Sequence, residues 1–407
     1  MNLSARRACR LCLVSALGLV HLLAQSPTGE PVFDGTRALQ HVSALATPGK
    51  RPAASDRSAQ AAAYIKAQFE ACGLTVTEHR FPMLAFDEKQ TRLSAAGAAP
   101  WDIPASAFLY SPSGHLTAEV VAVPEPGLAG DFGRVDLKGK IALVKRGGIW
   151  LREKALAAAR AGASAVLIYN TSPLPFLGTL RGSVPIPALA LSGQDGAALL
   201  EALGKGPLTL RLDSETTIET RSGVNLIATR PGSSEKTFVF GAHYDSVTNS
   251  SGANDNASGT AVLLELARVL AKSPRPETFQ FMAFDGEEEG LLGSSAYVNQ
   301  LTRSQRKAIQ AMVNFDELGA GDSPYAVDGE ANLVQKAIQA AKRLNKEARQ
   351  EDSGSGSDHA SFADAGIPVL FIYREDALFH TPKDTVDRVK PEWLEAAGRI
   401  ALEVMAP

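Results

Sequence analysis

The chain has 407 residues, 45% of them hydrophobic and 21% charged, with a formal net charge of −3. That length can bury a sizeable core and suggests two domains rather than one, and the composition excludes a disordered or fibrous protein. The acidic balance argues against a nucleic-acid partner.

The first stretch, MNLSARRACRLCLVSALGLVHLLAQS, opens with Arg6, Arg7 and Arg10 and continues as an apolar run from Leu11 to Ala24. The run is too short for a comfortable membrane span and has the layout of a secretory signal peptide over residues 1–24, a retained membrane anchor being the alternative. Cleavage would leave 38 basic residues against 44 acidic, a net charge of −6, and Cys72 as the remaining cysteine, so no intrachain disulfide could form. An exported protein, periplasmic or secreted, is therefore expected, with no stable membrane insertion once the signal is removed.

Within residues 27–109, the stretch from about Gly35 to Gly73 ends in SDRSAQAAAYIKAQFEACG, which reads as a helix stopped at Gly73, followed by the alternating strand pattern LTVTEHRFPM. A Gly- and Ala-rich block over 110–215 has its own rhythm: strand IALVK, helix WLREKALAAARAGA, strand SAVLIYN, then strand and helix in VPIPALALSGQDGAALLEALGKG. Over 216–407 strands alternate with helices, the pattern of an α/β protein with a parallel sheet and crossover helices. SGSGSD at 353–358 reads as a mobile loop.

Acids and histidines follow the apolar runs. His243 and Asp245 come after TFVFGA, Glu287-Glu288 after FQFMAFDG, Asp316 after AIQAMVNF, and His380 after VLFIYREDALF. In an open α/β sheet such positions gather in the crevice outside the carboxyl ends of the strands. Asp245 is placed to orient the His243 ring. Asp255, in SGANDNASG, offers two oxygens that can bridge two cations, or it caps the helix that follows. Adjacent Glu287 and Glu288 would repel without a cation, although acids at a helix start gain from the dipole. Two histidines with three carboxylates suit zinc better than magnesium or calcium, and cobalt or manganese could substitute. Two such ions sharing a carboxylate hold a water whose pKa falls towards about 7, and with Glu288 as ligand Glu287 is the natural general base.

HYDSV, SGANDNASGT, FDGEEEGLLGS, NFDELG, SDHASF and FHTPKDT together resemble the motifs of metallopeptidase family 28, di-zinc exopeptidases that include bacterial and yeast secreted aminopeptidases. The match runs in order from Gly223 to Val389, and Gly35 to Pro82 is also similar. The resemblance implies a three-layer α/β/α fold on a mixed, mainly parallel sheet. It implies one zinc on His243 and Asp316, the other on Glu288 and His380, Asp255 bridging, Glu287 as base, and a cis peptide at Asp255-Asn256. The middle block is similar to a protease-associated domain, inserted as a lid or packing module.

The function implied is an exported zinc aminopeptidase acting on peptides. A carboxypeptidase or dipeptidase on the same fold, a glutaminyl cyclase and a non-catalytic binding protein are the alternatives, and the oligomeric state is open. Phe379 stands where relatives carry Tyr, leaving Tyr373 or a main-chain group as oxyanion donor. Glu317 follows Asp316 where Met is common; it favours substrates with a free amine or points to solvent. Asp358 and His359 are pocket or supporting candidates, and Arg146, Arg181 and Arg374 are the bases that a substrate carboxylate could meet.

Overall fold

The computed structural model describes residues 31–96, 101–353 and 356–405. The signal segment read over 1–24 lies outside the described residues. Among the described residues, no helix is long and apolar enough to cross a membrane.

A mixed sheet is built around the strands Thr278–Phe284, Thr237–His243, Ile309–Phe315 and Val369–Tyr373, adjacent in that order and parallel. Their residues alternate between two faces, as a pleated strand requires. Phe240, Ala242, Phe281, Ala283, Val313 and Phe315 enter a core shared with the helices Gly35–Ala46, Ala257–Leu270, Ala331–Arg343 and Pro391–Val404. Val239, Met282, Phe284 and Met312 face the other way, onto Val298 and Phe362 of the helices Leu292–Gln300 and His359–Asp364. Helices on both faces make the three α/β/α layers. Each fully buried Leu or Phe of this kind contributes about 1.5–3 kcal/mol.

Strand order reverses at Thr237–His243, with Thr278–Phe284 on one side and Ile309–Phe315 on the other. A crevice therefore opens at its carboxyl end. Helix Ala257–Leu270 starts beneath that crevice. A Cβ on Gly259 would lie 2.4 Å from the Phe315 carbonyl oxygen, so glycine there lets the helix start close against the strand that delivers Asp316.

Two 22-residue strands, Thr75–Ala96 and Thr209–Arg230, pair antiparallel along their lengths, with one irregularity between Glu88 and Gln90. One end of the Thr209–Arg230 strand pairs with Thr278–Phe284, the other with Gly114–Ala122. The parallel strands Ile141–Lys145, Ala165–Tyr169 and Ala188–Leu191 extend the sheet from there, with the helices Leu151–Arg160 and Gly193–Lys205 beside them. This block has its own apolar core, yet the shared ribbon keeps Val32–Pro407 one compact unit.

The two ends of the SGSGSD segment, read from its composition as a mobile loop, are tied into the fold. Gly354 and Ser355 lie outside the described residues, but Ser353 bonds Asp328, and Ser357 and Asp358 are fully buried. Burial behind the crevice outweighs the flexibility of the residue types.

Candidate metal centre

His243 ends its strand, and the Thr260 hydroxyl donates to its carbonyl oxygen at 2.8 Å. Asp245 Oδ1 stands 3.4 Å from His243 Nδ1. The same carboxylate accepts the backbone N–H groups of Glu287 and Glu288, each at 3.3 Å. One carboxylate thus faces the imidazole on one strand end and holds the backbone of the paired glutamates on the next, the position from which it would orient the ring.

Asp255 is not the helix cap. Asn256 takes that position, accepting from the Gly259 N–H at 2.8 Å and donating to the Phe315 carbonyl, which leaves the Asp255 carboxylate free to turn into the crevice. The Asp255-Asn256 peptide is cis, as the resemblance implies. The loop is held from beneath by residues the sequence did not single out. Asp384 accepts the N–H groups of Asn254 and Asp255 at 2.7 and 3.1 Å, and Asn254 Oδ1 accepts those of Gly319 and Ala320. Buried Arg51 donates to the carbonyls of Tyr244, Ser251 and Gly252. Burial pushes its guanidinium down to about 10 while Asp245 and Asp255 oppose the fall, so it stays a cation beside the acids. Only FHTPKDT signalled Asp384, and nothing local marks Arg51.

Glu287, Glu288 and Glu289 occupy a turn; the next helix begins at Leu292 with Leu291 as cap, so helix-dipole stabilisation does not account for them. Asp316 follows its strand, and its Oδ2 accepts from the Ser357 hydroxyl at 2.8 Å, which accepts in turn from Asn314. His380 sits in the loop after Val369–Tyr373, and its ring lies 4.5 Å from that of Phe379.

The donor atoms converge as two sets. His243 Nε2 is 3.3 Å from Asp255 Oδ1 and 3.4 Å from Asp316 Oδ1. His380 Nε2 is 3.0 Å from both Asp255 Oδ2 and Glu288 Oε2. Ligands about 2.0–2.2 Å from a tetrahedral zinc stand about 3.3–3.6 Å apart, so the His243 set at 3.3 and 3.4 Å has that spacing, while the His380 set at 3.0 Å is drawn in more tightly, with one Asp255 oxygen in each set. His243 Nε2 and Asp316 Oδ1 are buried without a hydrogen-bond partner, as ligand atoms awaiting a cation would be. Glu287 Oε2 stands further off, 3.9 Å from His243 Nε2, although His243, Glu287 and Asp316 also offer a grouping within 4.8 Å.

Without a cation the cluster carries excess buried negative charge. Burial, with Asp255 beside it, pushes Glu288 up to about 7, and burial with neighbouring Glu288 and Asp316 holds Glu287 well above the ordinary range. Burial disfavours ionised Asp255, yet the imidazoles of His243 and His380 bring it below the ordinary range. Burial likewise opposes a charged His380, but Glu288 and Asp255 raise it to about 12. Carboxyls that cling to protons and imidazoles that cannot shed them are what divalent cations relieve.

The cluster floors a cavity of about 790 Å³, walled by Met83, Leu84, Leu292 and Phe379 and reached from the middle block by Tyr110 and Arg181. Glu317 faces this cavity rather than open solvent, at a φ of 48°, with Oε2 buried and unpartnered. Asp358 and His359 lie behind the crevice instead of lining it. Asp358 is fully buried, and His359 stacks on Phe371 at 4.3 Å. Tyr373 bonds Glu351 at 3.1 Å outside the cavity lining, so it is not placed as an oxyanion donor. Arg374 is buried against Trp393 and donates to the carbonyls of Ala320, Gly321 and Ser323, a structural role.

Residues 225–405 match the model of peptidase family M28, and residues 116–199 match that of the PA domain. The chain is 34% identical over 373 residues to Aminopeptidase YwaD of Bacillus subtilis (strain 168), covering 86% of this chain and 79% of that protein. Its fold is similar to that of BSAP, a zinc aminopeptidase from Bacillus subtilis, at a TM-score of 0.80 and 31% identity over 93% of this chain and 95% of that one. It is also similar to an aminopeptidase from Aneurinibacillus sp. strain AM-1, at a TM-score of 0.78 and 32% identity over 91% and 93%. These matches agree with the family, the α/β fold and the inserted domain read from the motifs.

Proposed function

Because the chain belongs to peptidase family M28 and is a metallo-aminopeptidase of that family, we propose that it is exported and removes N-terminal residues from peptides, with two zinc ions on His243, Asp255, Glu288, Asp316 and His380 and with Glu287 as general base. The observation that carries this reading is the division of Asp255, whose Oδ1 faces His243 and whose Oδ2 faces His380. A carboxylate spanning two donor sets is the arrangement a pair of ions about 3.5–4 Å apart requires.

Zinc bound in such a site supplies a Lewis acid for a carbonyl oxygen and draws the pKa of water towards about 7. Glu287, further from His243 than Asp255 and Asp316 are and exposed to the cavity, takes the proton of the attacking water at its carboxylate and returns it to the nitrogen of the departing amine. Asp245 keeps the Glu287 backbone and the His243 ring in register for that transfer. Met83, Leu84, Leu292 and Phe379 shelter the scissile bond from bulk water. Glu317, an acid with an unpartnered oxygen, receives the free ammonium of the substrate. Export rests on the basic start and apolar run of residues 1–24.

Hydrolysis of aminoacyl-anilides beside their N-acetylated forms, with and without a chelator, tests the reading. Chelator-sensitive cleavage that needs the free amine is expected. Cleavage that survives acetylation but needs a free carboxylate would replace it with a carboxypeptidase.

A further inference from the structure

The catalytic cavity does not end at the acids. Thr179 and Arg181, on the inserted block, line both that cavity and an adjoining groove of about 530 Å³ whose other walls include Arg146, Trp150 and Arg152. Thr179 and Arg181 are thus a wall common to the two hollows, the first acidic at its floor and the second lined by bases.

The basic end is held in place. Leu109 and Thr179 form a parallel bridge, with the Leu109 N–H donating to Gly178 and the Leu180 N–H donating to Leu109. Next along the chain, Tyr110 donates to Glu289 in the catalytic turn. Arg181 is in the left-handed region at a φ of 51°, its N–H donating to Thr179 Oγ1 at 3.0 Å. Its guanidinium lies 5.5 Å from the ring centre of Trp150, which is 71% exposed and so open to a ligand. The Arg146 guanidinium donates to Asn170 and lies over the Phe176 ring, and Arg152 reaches a backbone carbonyl at Ser183. The one carboxylate in this groove, Glu153, is engaged by the Trp150 N–H. Three guanidiniums thus share a groove with one carboxylate, in a chain that is acidic overall.

We propose that Arg181, with Arg146 and Arg152 beyond it, binds a carboxylate of the substrate, so that the enzyme selects short peptides whose ammonium reaches the acidic floor while a C-terminal or side-chain carboxylate reaches the insert. Guanidinium forks match carboxylates in geometry and charge. The inference rests on the aminopeptidase reading and adds to it a peptide length and a charge at the distal end.

The test uses the zinc-loaded full-length enzyme and a ladder of leucyl-oligoglycines, dipeptide to hexapeptide, as free acids and as C-terminal amides. A second arm carries Glu or Gln at the last position of the amides. At one or two adjacent lengths the acid is expected to exceed its amide in kcat/KM by about tenfold, the gain of one charge-assisted contact. Arg181→Gln brings that ratio close to one, while Arg181→Lys keeps part of it. A preference confined to the acids assigns the terminus as the source, and a Glu preference among the amides assigns a side chain. A ratio near one at every length with no Glu preference among the amides in the wild type, or a preference unchanged in Arg181→Gln, overturns the inference while leaving aminopeptidase activity standing. Failure to cleave any peptide with a free amine overturns the functional reading itself.

Discussion

The Tyr110 hydroxyl, at the start of the inserted block, donates to the carboxylate of Glu289, the third acid of the turn that carries Glu287 and Glu288. Both side chains are buried, and burial pushes Glu289 up to about 8 even though the tyrosine bond opposes the rise. Tyr110→Phe leaves that carboxyl without its donor, an omission that costs about 1–3 kcal/mol at a buried site. The urea midpoint should fall accordingly. Glu289→Gln keeps an acceptor for the hydroxyl and should lose much less. Equal midpoints for Tyr110→Phe and the wild type would show that the pair contributes nothing.

Glu317 enters the cavity beside Asp255 and Asp316, where a second row of acid makes sense only if something cationic arrives. Glu317→Met should raise KM for aminoacyl-anilides about tenfold, the worth of one charge-assisted contact, with a smaller change in kcat. A fall in kcat with KM unmoved would place the residue in the chemical step instead.

Much of this site is legible in the chain because each donor follows an apolar run, and a parallel sheet brings such ends together whatever lies between. His243, Asp316 and the Glu287-Glu288 pair are brought together in this way, with His380 in the loop after the last of these strands. Asp255 needs one residue of register. Either Asp255 or Asn256 can cap the helix on residue type, and only the observed backbone shows Asn256 doing so. The supports are less legible. Arg51 reaches carbonyls some 200 positions away, and Tyr110 is 179 positions from its partner, so no local spacing encodes either contact. Composition misleads at Ser357 and Asp358, small and polar residues buried by the strand ends around them.

His41 gives the stability a pH dependence separate from the metal site. Its Nδ1 pairs with the Tyr64 hydroxyl at 2.7 Å, between the helices Gly35–Ala46 and Asp56–Ala71. Burial lowers its pKa from 6.5 to about 4, Glu265 opposing and Arg37 and Arg268 adding to the fall. The unfolded chain therefore binds more protons between those values, so stability is full above about 6.5 and declines as pH drops towards about 4. The loss is at most about 3 kcal/mol. His41→Gln should flatten that part of the curve, as urea unfolding across pH 4–7 would reveal; parallel curves for the two proteins would refute it.

Glu287 and His243 separate chemistry from metal retention. Glu287 Oε2 is 3.9 Å from His243 Nε2, whereas the atoms grouped as ligands stand 3.0–3.4 Å apart. On the proposed assignment Glu287→Gln keeps the shape and every ligand, so zinc content by elemental analysis should remain at the wild-type level while kcat falls about 10²–10⁴-fold through loss of the proton carrier. His243→Ala removes one member of a set that has no spare imidazole, and it should bind less zinc as well as turn over more slowly. Asp245 then loses the ring it orients, so refilling with excess zinc should not restore the rate. If Glu287→Gln instead loses zinc, the alternative grouping of His243, Glu287 and Asp316 is the true donor set and the base must be sought elsewhere.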